Sequence, residues 1–294
     1  MRNPMIILAI AGILVVAPGG ARAQDYAAVA AQAQAAYTAR DWTKAVPLYR
    51  QLAALPQATA GNVYDAACTM ALAGLKDEAF AYLEQALDRG FSSFFHLTDN
   101  DADLASLRND ARWPQIVAKV DAKMKATLGP RFDADYRSEL MALYRTDQAV
   151  RADITKLIEK HGMQSPQVDS VSRLMHEVDS ANVARLEALI ATRGWPEKSV
   201  VTAEGATAAF LVIQHSSLPV MEKYLPVMRE AAASDEMSKS QLAMLEDRVL
   251  MFNGKPQLYG TQLKYNEATG KPELAPIEDE ANVEARRKAV GLGP

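Results

Sequence analysis

The chain has 294 residues, 49% of them hydrophobic, with 36 acidic and 32 basic side chains and a formal charge of −4. That length supports two cores, and the acidic balance excludes the non-specific grip on nucleic acid that a basic face provides. Cys68 is the only cysteine, which excludes an intrachain disulfide and leaves stability to packing.

The first element is a leader. Arg2 precedes an unbroken apolar run over residues 5–16, the breaker Pro18-Gly19-Gly20 and the small-x-small site Ala21-Arg22-Ala23. This is the three-part layout of a secretory signal peptide over residues 1–23, with Gln24 the first residue after cleavage. A helix over the run reaches roughly 18 Å, short of a hydrocarbon core of about 30 Å. No membrane attachment is therefore expected after cleavage, and the expected location is periplasmic or secreted. Loss of Arg2 and Arg22 takes the net charge to −6.

Residues 24–128 read as paired helices with a period of 34. Ala45, Tyr49 and Leu52 align with Ala79, Leu83 and Ala86, while Val29 aligns with Val63 and Ala36 with Met70. Small residues let helices approach, and larger ones fill the groove between them. The period resembles the tetratricopeptide repeat, although the tryptophan and Leu-Gly positions of its consensus are missing. The resemblance implies a groove for a protein or peptide partner. After Gly90, residues Phe91, Phe94, Phe95, Leu104, Leu107 and Trp113 are expected to cap the open end of the stack. Asp99, Asp101 and Asp103 echo a calcium loop, but Leu104 stands where glycine must turn the chain and Asp110 where a bidentate glutamate is needed. Helix capping by Asp99 or Asp101 is the expectation. Cys68 lies in a small-residue helix pattern and is expected to be a buried, inert thiol.

Gly129-Pro130 marks the boundary to a second domain, residues 131–294. Apolar periodicity predicts helices over residues 132–161, 168–191, 206–215, 219–233, 238–252 and 279–290. Residues 257–276 could form a hairpin turning at 267–270. The expected fold class is all-α: helical-hairpin repeats, then a helical bundle with a short β-hairpin.

This half resembles a bacterial family of uncharacterised helical domains. The resemblance rests on Asp147, Gln148 and Arg151; Asp179 and Asn182; Gly194-Trp195-Pro196; Gln214-His215; and Asp247-Arg248. It continues with Gln257, Tyr259, Gly260, Thr261 and Gln262; Pro276, Ile277 and Asp279; and Arg287 with Gly291-Leu292. It implies a fold and a shared polar constellation, with no activity attached.

The polar residues themselves suggest chemistry. Asp147 and Arg151 share a helix face, as do Asp179 and Asn182. The segment ATAAFLVIQH, residues 206–215, is apolar on every side until Gln214 and His215, as befits a central helix holding a histidine at its negative end. His215 with Asp247 or Asp147 are the candidate catalytic residues, acting as acid or base. Arg151 and Arg248 are candidates for binding an anionic group, beside Gln214, Gln257, Tyr259 and Gln262 as neutral hydrogen-bonding groups. Metal and cofactor signatures are missing. His96, His161, His176 and His215 show no ligand spacing, Ser180 stands where a zinc-protease helix needs its second histidine, and no phosphate loop or nucleophile elbow occurs. Three readings follow. The first is an interaction protein that binds a protein or peptide through its repeats and a small polar or anionic ligand in its C-terminal domain. The second is a hydrolase-type enzyme, and the third is a structural assembly module.

Overall fold

The computed structural model describes residues 18–152, 154–266 and 271–293. Among them the protein is all-α, with thirteen α-helices and one two-stranded sheet. The apolar run read as an export signal and the hairpin turn at 267–270 lie outside the described residues. No described helix is long and apolar enough to cross a membrane. The chain divides into two units, Met1–Val120 and Asp121–Pro294.

In the first unit, α1 (Pro18–Thr38) pairs with α2 (Trp42–Ala54), and α3 (Ala60–Leu72) pairs with α4 (Lys76–Asp88). Most of the aligned positions are packed: Ala45, Ala79, Leu83 and Ala86 are fully buried, Tyr49 and Leu52 nearly so, and Val29 is half-buried. The 34-residue period extends to the backbone. Arg40 and Gly74 both adopt left-handed φ angles, 55° and 78°. The bonds closing the two turns also correspond, Asp41 N to Ala36 O at 2.9 Å and Leu75 N to Met70 O at 2.8 Å. Local chemistry starts two of these helices. The Asp41 carboxylate caps α2, and Thr59 and Asn62 cap α3 reciprocally. Beyond α4 come a π-turn (His96–Asn100), a 3₁₀ turn (Ala102–Leu104) and α5 (Ala105–Arg108), the last two packed on α3. Leu97, Leu104 and Leu107 are fully buried there. The Arg112 guanidinium lies 4.3 Å over the Phe80 ring, and α6 (Trp113–Leu128) follows.

The second unit contains α7 (Ala134–Arg151), α8 (Ile154–His161), α9 (Pro166–Arg193), α10 (Lys198–Gln214), α11 (Leu218–Ala233) and α12 (Lys239–Phe252). Then come β1 (Leu263–Asn266), β2 (Lys271–Leu274) and α13 (Val283–Ala289). The single helix expected over residues 132–161 is two. The first ends at Arg151, whose Nη1 donates to the Asp147 carbonyl at 2.8 Å. The apolar α10 is central and packs on α7, α9 and α11. Ala208, Ala209 and Ile213 from α10 are fully buried with Tyr136, Leu140, Leu186, Met228 and Leu245. Each such large side chain contributes about 1.5–3 kcal/mol by burial. Thr202 breaks the first turn of α10 with φ 67°, and its hydroxyl caps the remaining rod through Gly205 N at 3.4 Å. The hairpin pairs Leu263 with Leu274 through to Asn266 with Lys271.

Candidate functional site

The rod of α10 delivers His215 to α7. Its Nδ1 lies 2.8 Å from Asp147 Oδ1, and Asp147 is 1% exposed. An ionised carboxylate only accepts, so Nδ1 carries the proton and Nε2 is left for other chemistry. Arg151 closes the group from the same helix. Its Nη1 is 3.0 Å from Asp147 Oδ1, and its Nη2 donates to both Asp179 oxygens on α9, at 2.6 and 2.8 Å. Gln148 Nε2 donates to Asp147 Oδ2 at 2.7 Å. Burial by itself raises the proton affinity of Asp147. The hydrogen bond and charge of His215, then Arg151 and Gln148, outweigh burial and hold the carboxyl below its ordinary value.

Asp247 does not pair with His215. It is fully buried on α12 and takes the backbone N–H groups of Leu258, Tyr259 and Thr261 at 2.7 to 3.2 Å, plus the Thr261 hydroxyl at 2.9 Å. A carboxylate saturated by a loop has no valence for an imidazole, so its role is to shape the 257–262 loop. Gln257 ties the same loop internally, donating to Gln262 O and Ala275 O and accepting from Gln262 N. Gly260 is required here. Its φ is 69°, and a Cβ would meet Ile277 Cδ1 at 3.0 Å. Tyr259 accepts at its carbonyl from Arg287 Nη1 at 2.7 Å, and Arg286 Nε donates to Leu258 O at 2.7 Å.

The candidates therefore form two bonded groups with Arg248 between them. Arg248 Nη1 donates to the Gln214 carbonyl at 2.7 Å, and Nε donates to Gln262 Oε1 at 3.0 Å. The Gln214 side chain joins neither group.

The first unit holds a site that sequence reasoning missed. A cavity of about 310 Å³ is lined by Tyr37, Tyr49, Tyr64, Asp65, Cys68 and Asp101, with Gln34, His96 and Asp103 completing it. Asp101 Oδ2 accepts from the Tyr64 hydroxyl at 2.6 Å and from the Cys68 thiol at 3.4 Å, with His96 Nε2 at 3.2 Å. Tyr37 donates to Asp103. Asp101 does cap a turn, accepting from Asp103 N at 2.9 Å, yet most of its bonds serve the cavity. Burial first, then Asp101, pushes the Cys68 thiol up, so it stays protonated. Burial and then the Asp101 charge raise Asp65, against the opposing pull of His96. One signal was available: Gln34 and Cys68 are 34 residues apart and so occupy equivalent faces of α1 and α3.

Two trios bring metal-ligating atoms within 4.8 Å of one another: Cys68, Asp101 and Asp103, and Asp147, Asp179 and His215. An ion in the second would displace the Arg151 guanidinium, which already bridges both carboxylates. An ion in the first would need the Cys68 proton removed against its raised affinity.

The model of the family of unknown function DUF6624 matches residues 134–294, and the chain belongs to that family. No curated protein and no solved structure matches the chain.

Proposed function

We propose that this DUF6624 member is an exported envelope protein that works by binding, and that its repeats hold a protein or peptide partner through a cationic side chain. The cavity of about 310 Å³ supports this reading. Its volume lies in the range of ligand pockets, roughly 300–1,000 Å³. Asp65 has no partner among the described residues for its carboxylate, and three tyrosines share the lining. A lysine or arginine entering there meets a carboxylate and π-faces together. The test is anisotropy titration of the mature chain with a lysine-rich and a glutamate-rich peptide. The lysine peptide should bind, weaken with salt, and lose about tenfold in affinity with Asp65→Asn. Equal binding of the two peptides would overturn the reading. Export is checked separately: deleting residues 1–23 should leave the protein in the cytoplasmic fraction.

A second reading, a hydrolase-type enzyme, is favoured by one observation. His215 is oriented by Asp147 through Nδ1, and Nε2 makes no bond among the described residues. His215 would then be the general base and Asp147 its positioning partner. Turnover of an ester or amide panel that vanishes in His215→Ala would carry it; a panel giving no turnover with the wild-type chain would sink it.

A further inference from the structure

Two features of the C-terminal unit have no internal explanation. Gln214 is 3% exposed, yet its amide makes no hydrogen bond among the described residues, and its Oε1 is stranded. Buried amides without partners carry a desolvation penalty that folding leaves unrelieved. Arg248 is the second feature. It is half-buried, and no described carboxylate pairs with it. Both its bonds go to neutral acceptors, the Gln214 carbonyl and Gln262 Oε1. Burial and then the charge of Arg151 disfavour its charged form. Asp147 and Asp179 are engaged by Arg151, His215 and Gln148, and the adjacent Asp247 by the 257–262 loop.

The two features are joined. Arg248 is bonded to the backbone of the residue whose amide is unpaired, and the next residue is His215, whose Nε2 is free and whose side chain is 19% exposed. The chain thus presents, around one helix end that reaches solvent, a guanidinium lacking a counter-ion, an amide with donor and acceptor unspent, and an imidazole nitrogen. Arg248 requires negative charge. The buried Gln214 Oε1 requires a donor, and Nε2 has hydrogens to offer an acceptor. One small ligand meets all three demands: an oxyanion that carries its own hydroxyl.

We infer that the C-terminal domain binds a small hydroxyl-bearing oxyanion, with Arg248 and Gln214 as its main contacts and His215 at the rim. Hydrogen phosphate and hydroxycarboxylates share this chemistry. The site uses no residue of the repeat cavity, so it stands or falls independently of peptide binding.

The experiment uses the full mature chain and isothermal titration with inorganic phosphate, glycolate and acetate, at constant ionic strength set by chloride. Melting temperatures are recorded with and without each anion. Phosphate or glycolate should bind, and acetate, which has no hydroxyl, should bind about tenfold more weakly or not at all. The two hydroxyl-bearing probes distinguish a phosphate site from a carboxylate site. Gln214→Leu should raise the melting temperature of the free protein, because it removes the unpaired amide, and should weaken the bound anion about tenfold. Arg248→Lys keeps the charge but loses the planar fork and should also weaken it; if that variant fails to fold, Gln214→Leu still decides. The inference is overturned if no probe binds more than chloride does. It is also overturned if Gln214→Leu lowers the free melting temperature and leaves the anion response intact, since Gln214 would then be structural.

Discussion

In the N-terminal cavity three carboxylates, Asp65, Asp101 and Asp103, share the lining with a single imidazole, that of His96. In the C-terminal centre two carboxylates, Asp147 and Asp179, meet the Arg151 guanidinium and the His215 imidazole, and Arg248 stands beside them without an acid. The difference separates two things usually counted together. Asp101 is richly hydrogen-bonded, but its tyrosine and thiol partners are neutral, and the half-exposed His96 is the one imidazole set against the three carboxylates of the lining. Arg248 is hydrogen-bonded too, again to neutral groups. Satisfied geometry with unsatisfied charge is what a charged ligand can exploit, and the sign is opposite in the two units.

The largest expected effect comes from breaking the compensated side. Asp147→Ala strips the partner from His215, Arg151 and Gln148 around a buried site and should cost about 3–5 kcal/mol in urea unfolding at neutral pH. The Asp147 carboxyl is held below its ordinary value of 3.8, so the unfolded chain takes up the proton first as pH falls. Its stabilisation is present above pH 3.8 and is lost as pH drops through the depressed folded value. The gap between wild type and variant should therefore close in acid. A gap that persists unchanged there would mean packing, not charge, is responsible.

The uncompensated side should respond with the opposite slope. Asp65 is raised above 3.8 by burial and by Asp101, so the folded chain releases its proton last as pH rises. Stability is greatest below 3.8 and falls as pH climbs through the raised folded value. Asp65→Asn should then raise the melting temperature at neutral pH, within about 1 kcal/mol because solvent partly screens the group. The gain should disappear in acid. A loss of stability at neutral pH would show that Asp65 is paired after all and would remove the contrast between the units.

How much of this was legible in the sequence follows from what each feature depends on. The all-α class, the paired strands and the stops at Gly129, Gly162 and Gly194 rest on local patterns and occur, the three glycines with positive φ, although the helix expected over residues 132–161 is two. The meeting of His215, Asp147 and Arg151 was half-legible. The i,i+4 spacing put Asp147 and Arg151 together, and the apolar α10 marked a central helix, but nothing local distinguished Asp147 from Asp247. That choice depends on where the 257–262 loop folds, and the loop's own N–H groups claim Asp247. The cavity was not legible because its walls come from three helices and the cap, and Asp101 read locally as nothing more than a helix cap. Likewise, an unpaired Gln214 cannot be read from sequence, since it is defined by partners that do not arrive.

The smallest expected effect separates scaffold from site. Arg40 and Gly74 hold the same left-handed turn in the two hairpins, but only one is a glycine. A side chain in that region is strained by roughly 1–2 kcal/mol, partly offset by the greater freedom glycine loses on folding. Arg40 is exposed and makes no cavity contact. Arg40→Gly should therefore stabilise the first unit by roughly 0.5–1 kcal/mol, read as a rise in its unfolding midpoint in urea. Peptide affinity should not move, because no charge or ring lining the cavity has changed. If affinity shifts along with stability, binding responds to the rigidity of the repeats as well as to Asp65, and the charge contrast between the units would no longer suffice to explain recognition.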